Sequence, residues 1–140
     1  MPQSAQAAPQ TLARLLYISD LSPGTRATEV SRIVGSSRRR NAKDSITGLL
    51  IFDGDRFCQY VEGPPAAVAA LNDRLDHDAR HVRMEVLLEG PFAGPRRFSD
   101  WRLGYVDVVD ADELGAMRGL DGDAAMAAFE QLLPLLDVEV

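Results

Sequence analysis

Asp53-Gly54-Asp55-Arg56-Phe57-Cys58-Gln59-Tyr60-Val61-Glu62 is the stretch on which the fold turns. Asp-Gly is a strong hairpin signal, and strand-forming runs flank it at 45–52 and 56–62. With a period of two, Phe57, Gln59 and Val61 share one face of the second run, while Arg56, Cys58, Tyr60 and Glu62 share the other. A primary amide between two large apolar neighbours is expected inside the protein. There its two donor hydrogens and two lone pairs need partners.

Outward from this hairpin the chain alternates strand and helix. Residues 12–19 read as a first strand, broken by Ser22-Pro23-Gly24. A helix is expected over 26–38, with Val30, Ile33, Val34 and Ser37 on one stripe. After the hairpin, Gly63-Pro64-Pro65 opens a second helix, with proline suited to its first turn and Val68, Leu71 and Leu75 as its apolar stripe. A fourth strand is expected over 82–88, alternating Val82, Met84, Val86 and Leu88 against Arg83, Glu85 and Glu89. A turn-rich stretch, 90–100, precedes a fifth strand over 101–108.

The order β-α-β-β-α-β-β predicts an α+β, ferredoxin-like fold: a five-stranded mixed sheet with two helices, its first and third strands adjacent and central. Two short helical segments follow. The first would be capped by Asp110 or Asp112 and carry Leu114, Met117 and Leu120; the second would carry Met126, Phe129, Leu132 and Leu133 until Pro134. The expected organisation is a loose tail over 1–11, one domain over 12–108 and a helical extension over 109–140.

At 140 residues one domain suffices, able to bury roughly 65–70% of its unfolded surface. A net charge of -6 argues against a nucleic-acid or anionic-membrane surface. The single cysteine, Cys58, excludes an internal disulfide and fits a reducing compartment. No basic n-region opens the chain, and its apolar runs fall short of the roughly 20 residues that a membrane helix needs. A soluble, cytoplasmic protein is expected.

Conventional catalysis has no visible seat. His77 and His81 lack companions at metal-ligand spacing, and there is no Gly-rich phosphate loop and no Gly-x-Ser-x-Gly elbow. Cys58 points away from the Gln59 face. What remains is a set of neutral polar groups on core-facing elements. Tyr17, on the face of Ala13 and Leu15, is placed to meet Gln59, either as a mutually satisfied core pair or as a working one. Asn41 follows the first helix, as a cap or turn residue or as a ligand group. Arg38, Arg39, Arg40 and Lys43 are a solvated cationic helix end or a seat for phosphates.

Together these residues resemble the BLUF domain, the sensor of blue light using FAD. The resemblance rests on Tyr17 in Leu-Leu-Tyr-Ile-Ser, Asn41 in Arg-Asn-Ala-Lys-Asp-Ser-Ile-Thr-Gly, Gln59 in Phe-Cys-Gln-Tyr-Val-Glu-Gly, and Arg80-His81. Their mutual spacing matches the family without gaps, and Trp101 then falls on the last strand. The resemblance covers residues 12–108 and, more loosely, the C-terminal helices.

The resemblance implies FAD held between the two helices against the central strands. Asn41 would meet the pyrimidine edge, accepting from N3–H and donating to O4, with Arg80 and His81 near O2 and the ribityl chain. Lys43 with Arg38, Arg39 and Arg40 would face the diphosphate, and Ile33 and Leu50 would be apolar walls. It further implies photochemistry without substrate turnover. Tyr17 gives up an electron and then a proton under blue light; Gln59 relays the proton and is left rotated or tautomerised, shifting the flavin absorption slightly to the red.

Output would pass through Trp101, Leu103 and Tyr105 to the C-terminal helices and on to a downstream signalling protein, with a homo-oligomer also expected. The alternative reading of Trp101 is a plain core aromatic. Two residues depart from the family pattern: Leu103 stands where many members have methionine, and Arg40 where histidine or asparagine is frequent. A flavin-free interaction module and an acylphosphatase-like hydrolase are the alternative readings.

Overall fold

The hairpin turn is held by one side chain. Asp53 Oδ1 accepts from the backbone N–H of Asp55 (2.9 Å) and of Arg56 (2.7 Å), while its Oδ2 pairs with the Arg56 guanidinium at 2.9 Å. Gly54, at φ 102°, supplies the left-handed residue the reversal needs. The computed structural model describes residues 11–106 and 114–138.

The elements are β1 (Leu12–Leu21), α1 (Ala27–Lys43), β2 (Thr47–Phe52), β3 (Arg56–Gly63), α2 (Pro65–Asp76), β4 (His81–Phe92), β5 (Trp101–Tyr105), a 3₁₀ turn at Gly115–Met117, α3 (Gly122–Leu132), a second 3₁₀ turn at Leu133–Leu135, and a two-residue strand β6 (Asp137–Val138). The sheet order is β4-β1-β3-β2-β5-β6. Among the described residues only the β2–β5 pairing is parallel. The ferredoxin-like α+β arrangement is therefore present, with β1 and β3 adjacent and inside the sheet. A sixth, short edge strand is added to the expected five.

Strand alternation sorts the core into two layers. On the helix face Leu15, Tyr17, Leu50, Phe57, Val61, Trp101 and Leu103 pack with Val34 of α1 and with Val68 and Leu71 of α2. On the opposite face Leu16, Ile18, Leu49, Ile51, Cys58 and Tyr60 pack with Leu114, Met117, Met126, Phe129 and Leu132. The C-terminal segment is thus a cap on the far side of the sheet. Asp110 and Asp112, the expected caps of its first helix, and Val108, the expected strand end, lie outside the described residues. The part that is described is a 3₁₀ turn.

Two expectations fail for physical reasons. α1 runs on to Lys43, so Asn41 lies in its last turn and Asp44 takes the cap position. In β4 the simple alternation is broken: Val82 and Val86 are 39% and 38% exposed, whereas Leu87 is buried. The pairing with β1 slips between Leu16 and Tyr17 and again between Ile18 and Asp20, and Arg83 sits at φ 54°. Each slip changes which residues face inward, because the side-chain period is two. On β5, Trp101 and Leu103 are buried but Tyr105 is exposed.

Candidate functional site

Register alone lines up the central groups. Tyr17 lies directly opposite Gln59, Gln59 opposite Leu50, and Leu50 opposite Leu103, a single row across β1, β3, β2 and β5 on the helix face. Gln59 is buried, and both ends of its amide are engaged. Its Nε2 donates to the Tyr17 hydroxyl at 2.8 Å, and its Oε1 accepts from the indole Nε1–H of Trp101, also at 2.8 Å. Burial raises the Tyr17 pKa above its usual value, opposed by the Gln59 hydrogen bond, so the side chain is a neutral phenol. The Arg38 guanidinium carbon lies 5.8 Å from the centroid of the Trp101 ring.

Around this row lie buried polar atoms without a hydrogen-bond partner among the described residues. Neither Oδ1 nor Nδ2 of Asn41 has a partner, nor has either ring nitrogen of His81, nor Ser19 Oγ. Asn41 is 1% exposed and Ser19 fully buried. His81 sits against Tyr17 and Phe57, with ring centroids 6.3 and 6.5 Å away. Burial depresses its pKa, with Arg80 adding to the effect and Asp78 opposing it. Buried polar atoms are otherwise nearly always satisfied, so this many on one face fits a ligand with its own donors and acceptors. An amide, an imidazole and a hydroxyl suit the neutral, hydrogen-bonding edge of a flavin ring.

Asn41 also lines a narrow cleft between α1 and α2, with Ser36, Ser37, Arg40, Leu71, Arg74, Leu75, Asp78 and Arg80. Arg80 is exposed and gripped by Asp78, its Nε and Nη2 reaching the carboxylate at 2.9 and 2.7 Å. Arg40 and Lys43 are exposed and border a neighbouring groove with Ser36, Arg39, Asp44 and Arg74. Ile33 is half-buried on α1, and Leu50 is buried between Gln59 and Leu103. Gln59 therefore joins Tyr17 to Trp101, Asn41 and Arg80 share a cleft whose rim includes Arg40, and Lys43 lies outside it.

This arrangement coincides with a known family. The family described as "Sensors of blue-light using FAD", BLUF, matches residues 12–104, a span that contains every one of these groups. The chain belongs to the BLUF family. BLUF domains bind flavin and sense blue light. Photoactivated adenylate cyclase subunit beta of Euglena gracilis is 36% identical over 93 residues, covering 66% of this chain and 11% of that protein. The blue light- and temperature-regulated antirepressor BluF of Escherichia coli (strain K12) is 32% identical over 87 residues, 62% of this chain and 21% of that one. The chain thus matches only 11% and 21% of the length of these two relatives. The dark-state structure of BlrB, a BLUF protein, superposes with a TM-score of 0.68 at 27% identity over 90% of this chain and 96% of that one. The BlsA ground state gives 0.72 at 19% identity, a likeness of fold.

Sequence reasoning missed three groups at this candidate site. Arg74, whose Nη2 is buried without a hydrogen bond, enters the cleft from α2; its position after Leu71 and before Leu75 on the inner stripe was the available signal. Asp78 holds Arg80, a pairing legible in the short Asp-Ala-Arg spacing. Ser19 is on the Tyr17 face by simple alternation. Among the described residues no group of three or more His, Cys, Asp or Glu gathers, and no helix is long and apolar enough to cross a membrane. Cys58 is buried on the far face, its thiol pushed up to about 12 by burial.

Proposed function

We propose that this BLUF chain is a blue-light photoreceptor that holds FAD on the helix face of its sheet and signals through the hydrogen bonding of Gln59. The observation that carries the reading is the chain of contacts from Trp101 through Gln59 to Tyr17, set beside the unpartnered amide of Asn41. Asn41, His81 and Ser19 would hold the ring and its ribityl side. Arg39, Arg40, Lys43 and Arg74 would face the phosphates, and Ile33 and Leu50 would serve as walls. When bound, the flavin supplies a blue-light absorber that becomes a strong oxidant on excitation.

The remaining chemistry belongs to the protein. In this reading Tyr17 would be the electron donor to the excited flavin, and its Oη–H proton would pass to the amide of Gln59, its hydrogen-bonded neighbour, because a bare charge in this layer is costly. Gln59 takes part through an amide whose two ends differ in hydrogen-bonding sense but hardly in shape. An indole N–H is a donor only, so Trp101 requires the amide oxygen on its side. Reversing the amide places its oxygen on Tyr17 and leaves the indole unpaired, a cost of about 1–3 kcal/mol. Two settings separated by so little form a switch that a small trigger can move.

Output is proposed to pass from Trp101 along β5 to the C-terminal cap and then to a partner protein, without an enzymatic step in this chain. Leu114, Met117, Phe129 and Leu132 are buried in the cap, so their exposure would require it to loosen. An illuminated-minus-dark absorption spectrum of the purified protein tests the core of the reading. A reversible red shift that vanishes in both Tyr17→Phe and Gln59→Leu, with flavin retained, is expected. A colourless protein that takes up no FAD would overturn it.

A further inference from the structure

Glu62 is fully buried on the far face of β3, three positions after Gln59. No cation pairs with it among the described residues. Its Oε1 accepts from the Tyr60 hydroxyl at 3.0 Å, and its Oε2 accepts from the backbone N–H of Phe98 at 2.8 Å. The Glu62 carbonyl takes Arg96 Nη1 at 3.3 Å, and the same nitrogen donates to Thr47 Oγ1 at 2.9 Å. Phe98 and Arg96 belong to the segment that leads into Trp101. A short circuit therefore closes: from Gln59 along β3 to Glu62, across to Phe98, along the chain to Trp101, and back through the indole to Gln59.

We propose that Glu62 is a positioning residue that sets Trp101 against Gln59 and ties that hydrogen bond to α3. This rests on the photoreceptor reading for its purpose, though not for its dark-state geometry. Gln59 and Glu62 hold opposite ends of residues 98–101, one from each face of the sheet. The same segment reaches the cap twice. Phe98 packs tilted against Tyr60, with centroids 5.7 Å apart, and Tyr60 lies 5.8 Å from Phe129 of α3; Arg97 pairs with Glu130 of α3 at 2.8 Å. When the indole loses or regains its acceptor, the segment it anchors is free to shift against Glu62, and α3 is the element that feels it.

The test uses the full chain. In Glu62→Leu the Phe98 amide should exchange at least about tenfold faster, because its acceptor is gone. The Trp101 indole N–H resonance in the dark should move toward the position of a free indole, and the light-induced change in α3 amide exchange should fall to about half or less. Glu62→Gln should restore the indole resonance, since its oxygen can accept from Phe98 while its NH₂ donates to the Tyr60 hydroxyl. A folded Glu62→Leu protein with an unmoved indole resonance and an unchanged response at α3 overturns the proposal. Should that variant not fold, Arg96→Leu loosens the same segment from its outer side; a partial indole shift in the same direction supports the proposal, and none overturns it. A wild-type chain with no light response would sink the photoreceptor reading, while the dark indole measurement still decides the role of Glu62.

Discussion

The indole N–H of Trp101 and the amide oxygen of Gln59 are 2.8 Å apart, and this contact sets which way the glutamine faces. The tyrosine on the other side is neutral on this point, since a hydroxyl both donates and accepts. Trp101 is the group that breaks the symmetry of the amide.

Trp101→Phe should therefore keep flavin but release the amide. Loss of one buried partner, about 1–3 kcal/mol, corresponds to a change of roughly 5–150-fold in the balance of the two settings. Recovery of the dark spectrum after a light pulse measures it; a rate within about twofold of wild type would remove Trp101 from the switch.

Asn41 separates binding from folding. Its amide has no partner among the described residues, so Asn41→Ala should leave the stability of the flavin-free chain within about 0.5–1 kcal/mol of wild type. Flavin affinity should fall about tenfold or more, the worth of one or two hydrogen bonds. Thermal melts of the flavin-free protein and a fluorescence titration with FAD read the two effects separately. A large loss of stability with unchanged affinity would make Asn41 a structural residue.

His81 gives stability a pH dependence of definite sign. Its pKa is lowered on folding from the ordinary 6.5, so the unfolded chain binds the extra proton first and stability falls as pH drops below about 6.5. Asp78 is held low chiefly by its hydrogen bond to Arg80, so its contribution is lost only below an ordinary carboxylate value of 3.8. Denaturation midpoints of the flavin-free protein should thus decline in two separate windows, and His81→Gln should flatten the upper one alone.

Gly48 lies between Val61 and Trp101 in the pairing, and a methyl group there would sit 2.0 Å from the Tyr60 carbonyl oxygen. Gly48→Ala should cost at least the roughly 1–3 kcal/mol of an overpacked core, and with rigid backbone as the obstacle more is expected. Gly24→Ala, with nothing within 4 Å of the added carbon and only its φ of 83° against it, should cost about 1–2 kcal/mol. Melting temperatures of the two variants, ranked the other way, would contradict the packing described here.

The order of elements, the two faces of β3 and the meeting of Tyr17 with Gln59 were legible because they follow from local periodicity and one strong turn. Asn41 was legible as a residue type but not as a helical one, since nothing in Arg-Asn-Ala-Lys announces where a helix will fray. The alternation of β4 misled because a bulge arises from how two strands fit together, and neither strand carries its signature alone.

The chain by itself determined which side chains point to which face of an unbroken strand such as β3, since alternation there is a property of the backbone. Only the tertiary structure decided what those side chains touch. That the Trp101 indole reaches Gln59, that Glu62 grips Phe98 from behind, and that Asn41 and His81 are left without partners depend on registers between segments far apart in sequence. Such registers are settled by packing the whole sheet at once, so short-range patterns along the chain do not contain them.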